Sequence, residues 1–267
     1  MAQNHVEPTN AATSPGPSIF GDSVVRVRAA NLGVAVVRDL VKAIVTGAVA
    51  PGDVLPPEGT LSQQFAVSRT VIRESVKRIE EKGLVTVSQG RGTVVNQSSQ
   101  WNVLDPDVLS ALVDHDETLE VLDELAVVRG SLEATMARAA AARQNPESTA
   151  ALRAAFDRAA ANLDDIATYN DADAAFHDLV MEQSGIRLAA NITRIMFERA
   201  RESSRFTGVT TDDAAQMSLE EHRAVLDAIA QGDGDTAASA MREHIAKAWA
   251  RRRAPGVAGP SGRAPPR

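Results

Sequence analysis

The chain has no cysteine among its 267 residues. A disulfide framework and any thiolate metal site are therefore excluded. Aromatic residues make up only 3%, so its cores must be built from Ala, Leu, Val and Ile. No apolar run reaches the roughly 18 residues that mark a membrane span. The N-terminus lacks the charged-then-apolar pattern of a secretory signal. The expectation is a cytoplasmic protein with no membrane partner. Positive charge is in deficit: 28 Lys and Arg face 35 Asp and Glu, a formal net charge of −7. What is present is length for two modest domains and 44% hydrophobic residues to fill them.

The charge is unevenly placed. Residues 24–99 hold ten Lys and Arg against six Asp and Glu. Residues 100–250 hold thirteen against twenty-seven. A basic module joined to an acidic one fits a DNA reader attached to a sensor, because the acidic half repels phosphates and limits unspecific binding.

Residues 64–79 read QFAVSRTVIRESVKRI. Ser68 is a good helix N-cap, since its hydroxyl accepts from a free N–H of the first turn. Arg69, Thr70 and Arg73 follow on the first turn and a half, and Arg69 and Arg73 share a face. Val71, Ile72, Val76 and Ile79 form the expected buried stripe. Such a helix suits the major groove, where Arg bonds guanine O6 and N7 and Thr meets a phosphate or a thymine methyl. The bland alternative is a solvated basic face. The surroundings favour the first reading. Ala35–Val45 has helical apolar spacing and stops at Gly47, before a Pro51-Gly52 turn. Pro56 and Pro57 open a short helix with Leu61 and Phe65 inward, and Ala66-Val67 makes the tight turn of a helix-turn-helix. Residues 84–88 and 93–95 alternate as strands around a QGRG turn. The expected fold of 24–96 is a winged helix-turn-helix with Gly90 and Arg91 at the wing tip.

The run from Gly47 to Val85, G-x-V-x-P-G-D-x-L-P-P-E-x-x-L-x-x-x-F-x-V-S-R-T-x-I-R-E-S-V, then I-E-x-x-G-L-V, resembles the DNA-binding domain of GntR-type bacterial regulators. The resemblance implies DNA contacts from Arg69, Thr70 and Arg73, with Gly90 at the wing. Ser68 and Arg91 join them as candidates. Family members often carry a basic residue after the Glu of P-x-E-x-x-L. Gly59 stands there, so no base contact is implied from that point.

Residues 1–22 and 253–267 are expected to be a disordered arm and tail. A linker spans 97–107, with Trp101 and Leu104 pinning it to a domain. Residues 108–252 read as an all-helical bundle of six or seven helices. The expected fold class is thus mainly α.

The chain has five histidines. His5 lies in the arm and His115 near a helix end. His177, His222 and His244 fall within amphipathic helices, and Asp173 is one turn before His177. One carboxylate and three imidazoles on facing helices would suit a divalent d-block ion such as Zn, Mn or Ni. Satisfied core histidines are the alternative, and spacing alone does not bring the three together. Here L-x-V-x-R-G-S-L-E (125–133), D-x-x-x-H (173–177), E-H-R-A-V-L-D-A-I (221–229) and M-R-E-H-I (241–245) resemble the FCD ligand-binding domain of FadR-type regulators. That resemblance implies metal ligation by Asp173, His177, His222 and His244. It also implies that Arg129 points into a ligand cavity, where it would pair with a carboxylate effector; a surface Arg129–Glu133 pair is the alternative. Ile186 stands where the family often has Asn after Ser-Gly, so no contact from that Asn is implied. WNVLDPDVL is similar to members responding to sugar acids.

The leading expectation is a DNA-binding regulator, a repressor and not an enzyme. It would bind an inverted-repeat operator as a homodimer and respond to a small carboxylate such as a sugar acid or hydroxy acid. A metal-dependent enzyme fused to a DNA-binding module and a metal-free acyl-CoA-responsive regulator are the alternatives.

Overall fold

A computed structural model describes residues 23–202 and 212–253. The arm, the tail beyond Arg253 and the helix break expected at Thr207-Gly208 lie outside the described residues.

Helix α1 (Ser23–Val45) starts earlier than expected and buries Val37, Leu40, Val41 and Ile44. Helix α2 is Glu58–Gln64 and α3 is Arg69–Glu81. Ser68 caps α3, its Oγ accepting from the Val71 N–H at 3.3 Å. The turn between α2 and α3 puts Ala66 at φ 52°, and the Ser62 hydroxyl donates to the Val67 carbonyl at 2.6 Å to hold it. The buried stripe of α3 is Ile72, Ser75, Val76 and Ile79; Val71 is only half-buried. Ser75 can be inside because its hydroxyl donates to the Val71 carbonyl at 2.8 Å. Strands β1 (Val85–Ser88) and β2 (Gly92–Val95) pair antiparallel, Val85 with Val95 and Ser88 with Gly92. This is a winged helix-turn-helix.

Gly83, between α3 and the wing, has φ 74°, and a Cβ there would collide with the Gln100 carbonyl. Gly83→Ala should therefore destabilise the protein by more than about 1 kcal/mol, since it adds left-handed strain to a steric clash. Denaturant unfolding is the check, and an unchanged midpoint would contradict the packing described.

After a short 3-10 turn, Trp101 packs on the winged core and donates its Nε1–H to the Asn96 carbonyl at 3.1 Å. Leu104 packs on a different cluster, with Leu109, Val113, Leu122 and Met196. Helix α4 (Pro106–His115) follows, capped by Asp105. Its Val108 is buried in the winged core while Leu109 and Val113 are buried against the helices beyond. One helix thus belongs to both hydrophobic cores.

The rest is helical: α5 (Glu120–Arg143), α6 (Pro146–Ala160), α7 (Ile166–Ser184), α8 (Arg187–Glu202), α9 (Asp212–Gln231) and α10 (Gly234–Arg253). With α4 they make seven helices among the described residues. Their core is rich in alanine, including Ala137, Ala140, Ala141, Ala155 and Ala237. Small side chains let helix backbones approach closely, which is how a chain poor in aromatics still packs densely. Helix α5 is the centre, against α7, α8, α9 and α10. Among the described residues no helix is long and apolar enough to cross a membrane.

Candidate functional site

The exposed face of α3 presents Arg69, Thr70 and Arg73, with Ser68 exposed at its cap. Gly90 sits at the wing tip with φ 78° and open space around it, beside exposed Arg91. All six candidates lie on the exposed surface of the winged domain. The sequence reading missed Glu58. Its carboxylate takes Nε and Nη2 of Arg73 at 3.2 and 2.9 Å. This hydrogen bond holds the Glu58 carboxyl below its ordinary value. The residues are 15 apart on different helices, so no local pattern announces the pair. A Cβ at Gly59 would lie 3.4 Å from Arg69 Nη2, so the Arg69 guanidinium rests in contact distance of the short helix before it.

The second cluster lies inside the helical bundle. His177 comes from α7, His222 from α9 and His244 from α10. All three are buried, and their Nε2 atoms lie 3.0–3.3 Å from one another. Asp173 is half-buried at the edge, its Oδ1 3.7 Å from His222 Nε2. The four residues expected together are thus adjacent, with Asp173 set back from the three imidazoles.

Three further residues contact the rings. Glu133 Oε2 is 2.5 Å from His177 Nδ1. Glu221 Oε2 is 2.9 Å from His244 Nδ1. Phe176 stacks on His222, ring centroids 4.4 Å apart. An ionised carboxylate only accepts, so each bonded Nδ1 carries the proton. The Nε2 lone pairs of His177 and His244 therefore face inward, a few ångströms apart, and a shared cation would relieve their repulsion. These residues fit a divalent ion.

Burial would raise the Glu133 carboxyl, but Arg129 and His177 outweigh it and hold it at about 2. Burial would likewise raise Glu221, yet hydrogen bonds from Arg251 and His244 bring it to about 2. Burial, with the positive groups around it, pushes His222 well below the ordinary imidazole value, and burial lowers His244 too. Both shifts favour neutral, ligating imidazoles. In metal-free protein the unfolded chain takes up protons at these histidines before the folded one does. Stability should therefore fall as pH drops below about 6.5, and again below about 4.5 as the unfolded carboxylates protonate first. Thermal melting in EDTA across pH 8 to 4 checks this; a flat profile from 7 to 5 would contradict the buried neutral histidines.

Arg129 is on α5, and its Nε donates to Glu133 Oε1 at 2.5 Å. Its guanidinium lies over the Phe197 ring at 3.8 Å and lines a narrow cleft with Leu122, Met196, Trp249 and Arg252. The pair with Glu133 is therefore internal, not a surface pair. Burial, then repulsion from Arg129 and Arg251, draws the Arg252 guanidinium below its usual value, with Asp173 opposing. Phe197 also walls a cavity of about 380 Å³ that reaches Glu133, His177, Arg194 and Arg201. Glu133 and Glu221 were missed as orienting groups because a Glu beside an amphipathic stripe reads as a solvated charge.

Two family models match the chain: bacterial regulatory proteins, gntR family, over residues 32–95, and the FCD domain over residues 124–247. The galactonate operon transcriptional repressor of Escherichia coli is 33% identical over 224 residues, covering 81% of this chain and 94% of that protein. The Escherichia coli HTH-type transcriptional regulator YieP is 32% identical over 214 residues, covering 79% and 91%. The solved structure of Lar, which controls expression of the Listeria monocytogenes agr system, has 17% identity and a TM-score of 0.53, covering 83% of this chain and 96% of that one. That last likeness concerns the fold.

Proposed function

This chain belongs to the GntR family of bacterial regulatory proteins and carries an FCD domain, which makes it a DNA-binding transcription regulator; from that premise we propose a dimeric, metal-loaded, carboxylate-responsive repressor. The observation that carries the proposal is the convergence of three buried imidazole nitrogens within 3.3 Å, in a domain that shares a helix with the DNA reader.

The dimer follows from readout. One winged domain covers only a few base pairs, and two-fold pairing on an inverted repeat doubles the sequence read. Arg69, Thr70 and Arg73 would enter the major groove, while Ser68, Gly90 and Arg91 would approach the backbone or minor groove. The protein would act in the cytoplasm, where its operator lies.

The helical domain would hold one divalent ion, Zn, Mn or Ni, through His177, His222 and His244, with Asp173 closing the set. The ion supplies positive charge and open coordination positions for an oxygen ligand. Arg129 lines the neighbouring cleft and not the larger cavity, and its Nε is engaged by Glu133, so it would reach an effector only from that side. Arg194 and Arg201 line the cavity itself, which is large enough for a small acid. These charges explain how an acidic domain would accept an anion. A sugar acid or hydroxy acid fits, and the E. coli relative is named for the galactonate operon. The enzyme reading falls away, since the relatives and both families are transcription regulators.

A route for coupling runs through α4. Lys82, at the end of the recognition helix, bonds both carboxylate oxygens of Asp105 at 2.7 Å and Asp107 at 2.9 Å. Asp105 caps α4, and α4 packs on α8, which lines the effector cavity. An effector that shifts α8 would move α4 and, through Lys82, the reading helix. Lys82→Ala should leave metal content intact but shrink the effector-induced change in operator affinity from about 5–150-fold toward none. An unchanged response in that variant would exclude this route. The test of the whole reading is an operator-binding titration with sugar acids and hydroxy acids, using wild type, His177→Ala and Arg129→Ala. A ligand that releases wild type and His177→Ala equally well would show that the metal centre does not hold the effector.

A further inference from the structure

Resting on that metal-site reading, we propose that Glu221 and Arg251 are positioning residues: Arg251 clamps the Glu221 carboxylate, which fixes His244 as its Nδ1–H tautomer with the Nε2 lone pair turned to the metal.

The geometry is a relay between α9 and α10. Arg251 Nη1 donates to Glu221 Oε1 and Nη2 to Oε2, both at 2.8 Å. Nη2 also donates to the Ser218 hydroxyl at 3.0 Å. Glu221 Oε2 then accepts from His244 Nδ1 at 2.9 Å. Ser218 and Glu221 are three apart on α9, while His244 and Arg251 are seven apart on α10, so each pair lies on one helical face. A bidentate Arg–carboxylate pair is directional as well as strong. It removes the freedom of Glu221 to turn away from the ring.

The same construction occurs once more at this centre. Arg129 donates to Glu133, and Glu133 accepts from His177 Nδ1. Two ligands on two different helices are each backed by a Glu, and each Glu by an Arg. His222 is held differently, by stacking on Phe176. The Glu221-His222 dipeptide therefore has a divided task. One residue supplies a ligand, and its neighbour orients the ligand of the next helix.

A plain interhelical ion pair would use the same atoms, so the test must read the metal and the tautomer. Zn²⁺ affinity is measured by competition with a chromophoric chelator for wild type, Glu221→Ala, Glu221→Met, Glu221→Gln and Arg251→Met. Folding is followed separately by melting in EDTA. Glu221→Ala is expected to weaken Zn²⁺ binding about 10–100-fold, the usual cost of losing an orienting partner. Arg251→Met should cost less, since the carboxylate remains. Long-range ¹H–¹⁵N correlation of the histidine rings in metal-free protein should show His244 protonated at Nδ1 in wild type and both tautomers in Glu221→Ala. Should Glu221→Ala not fold, Glu221→Met carries the same two measurements, since it keeps the side-chain length but offers Nδ1–H no oxygen acceptor, whereas Glu221→Gln should retain the tautomer through its amide oxygen. A lowered melting temperature in EDTA with unchanged Zn²⁺ affinity and unchanged tautomer would overturn the relay. Wild type that binds no Zn²⁺, Mn²⁺ or Ni²⁺ would overturn the metal-site reading itself.

Discussion

Replacing His222 with alanine is expected to strip the helical domain of its divalent ion. His222 Nε2 lies 3.2 Å from that of His177 and 3.0 Å from that of His244. Its loss leaves two imidazoles and a set-back carboxylate. The affinity loss should exceed the roughly 10–100-fold that follows loss of an orienting partner, because here a ligand itself goes. An ion that binds only the native state at 100 times its Kd stabilises by about 2.7 kcal/mol. Wild type should therefore melt lower in EDTA, whereas His222→Ala should show no response to the chelator. Elemental analysis after refolding in Zn²⁺ and dialysis gives the direct reading. A full complement of metal in His222→Ala would refute the centre. In wild type, affinity should also weaken in acid as imidazoles take up protons. The burial that lowers His222 and His244 should hold that loss below about pH 6.5.

The second large effect is expected at the recognition helix. Arg69→Ala should weaken operator binding by about 1–3 kcal/mol and relax the preference at one base pair. Arg73 is held along one edge. Its Nε and Nη2 are engaged by Glu58, which leaves the Nη1–Nη2 edge of the guanidinium to face the groove. Arg73→Ala should therefore also cost about 1–3 kcal/mol if that edge reads a guanine, whereas a loss uniform across sequences, with the salt slope lower by about 1, would mark a phosphate contact. Glu58→Gln, which loosens that grip, should weaken any base preference Arg73 provides. Operator and random-sequence affinities at several salt concentrations separate these outcomes. Unchanged affinity in both Arg variants would exclude this face of α3 as the reader.

What was legible in the sequence was mostly local. The Ser68 cap, the polar start of α3 and the QGRG turn each depend on neighbours within a few residues. The structure has the cap and the helix start where the sequence put them, while β1 begins one residue later than expected, the Leu84 N–H being taken by the Ile79 carbonyl, and β2 begins one residue earlier, at Gly92. Each of the three clustered histidines was legible as an inward helical position, but their meeting was not. Periodicity fixes a residue's angle on its own helix and says nothing about how three helices rotate relative to one another. That step came from resemblance. Glu133, Glu221 and Arg251 stayed hidden for the same reason: their partners are 44, 23 and 30 residues away. The half-burial of Val71 and the placement of Ser75 inside also escaped, because a hydroxyl that bonds its own helix carbonyl can be buried at little cost.

Helix α4 has a thermodynamic consequence. Val108 is fully buried in the core that holds Ile72 and Ile79, while Val113, one and a half turns on, is fully buried against Leu122 and Met196. Neither core is complete without this one helix. Unfolding of either half pulls α4 away and opens a hole in the other, so heat capacity should rise through a single transition rather than two. A fragment ending at the wing would lose Val108, Trp101 and Leu112 from its core together. For evolution, the helix acts as a splice that resists recombination: a foreign sensor joined after residue 96 would have to bring its own Val108.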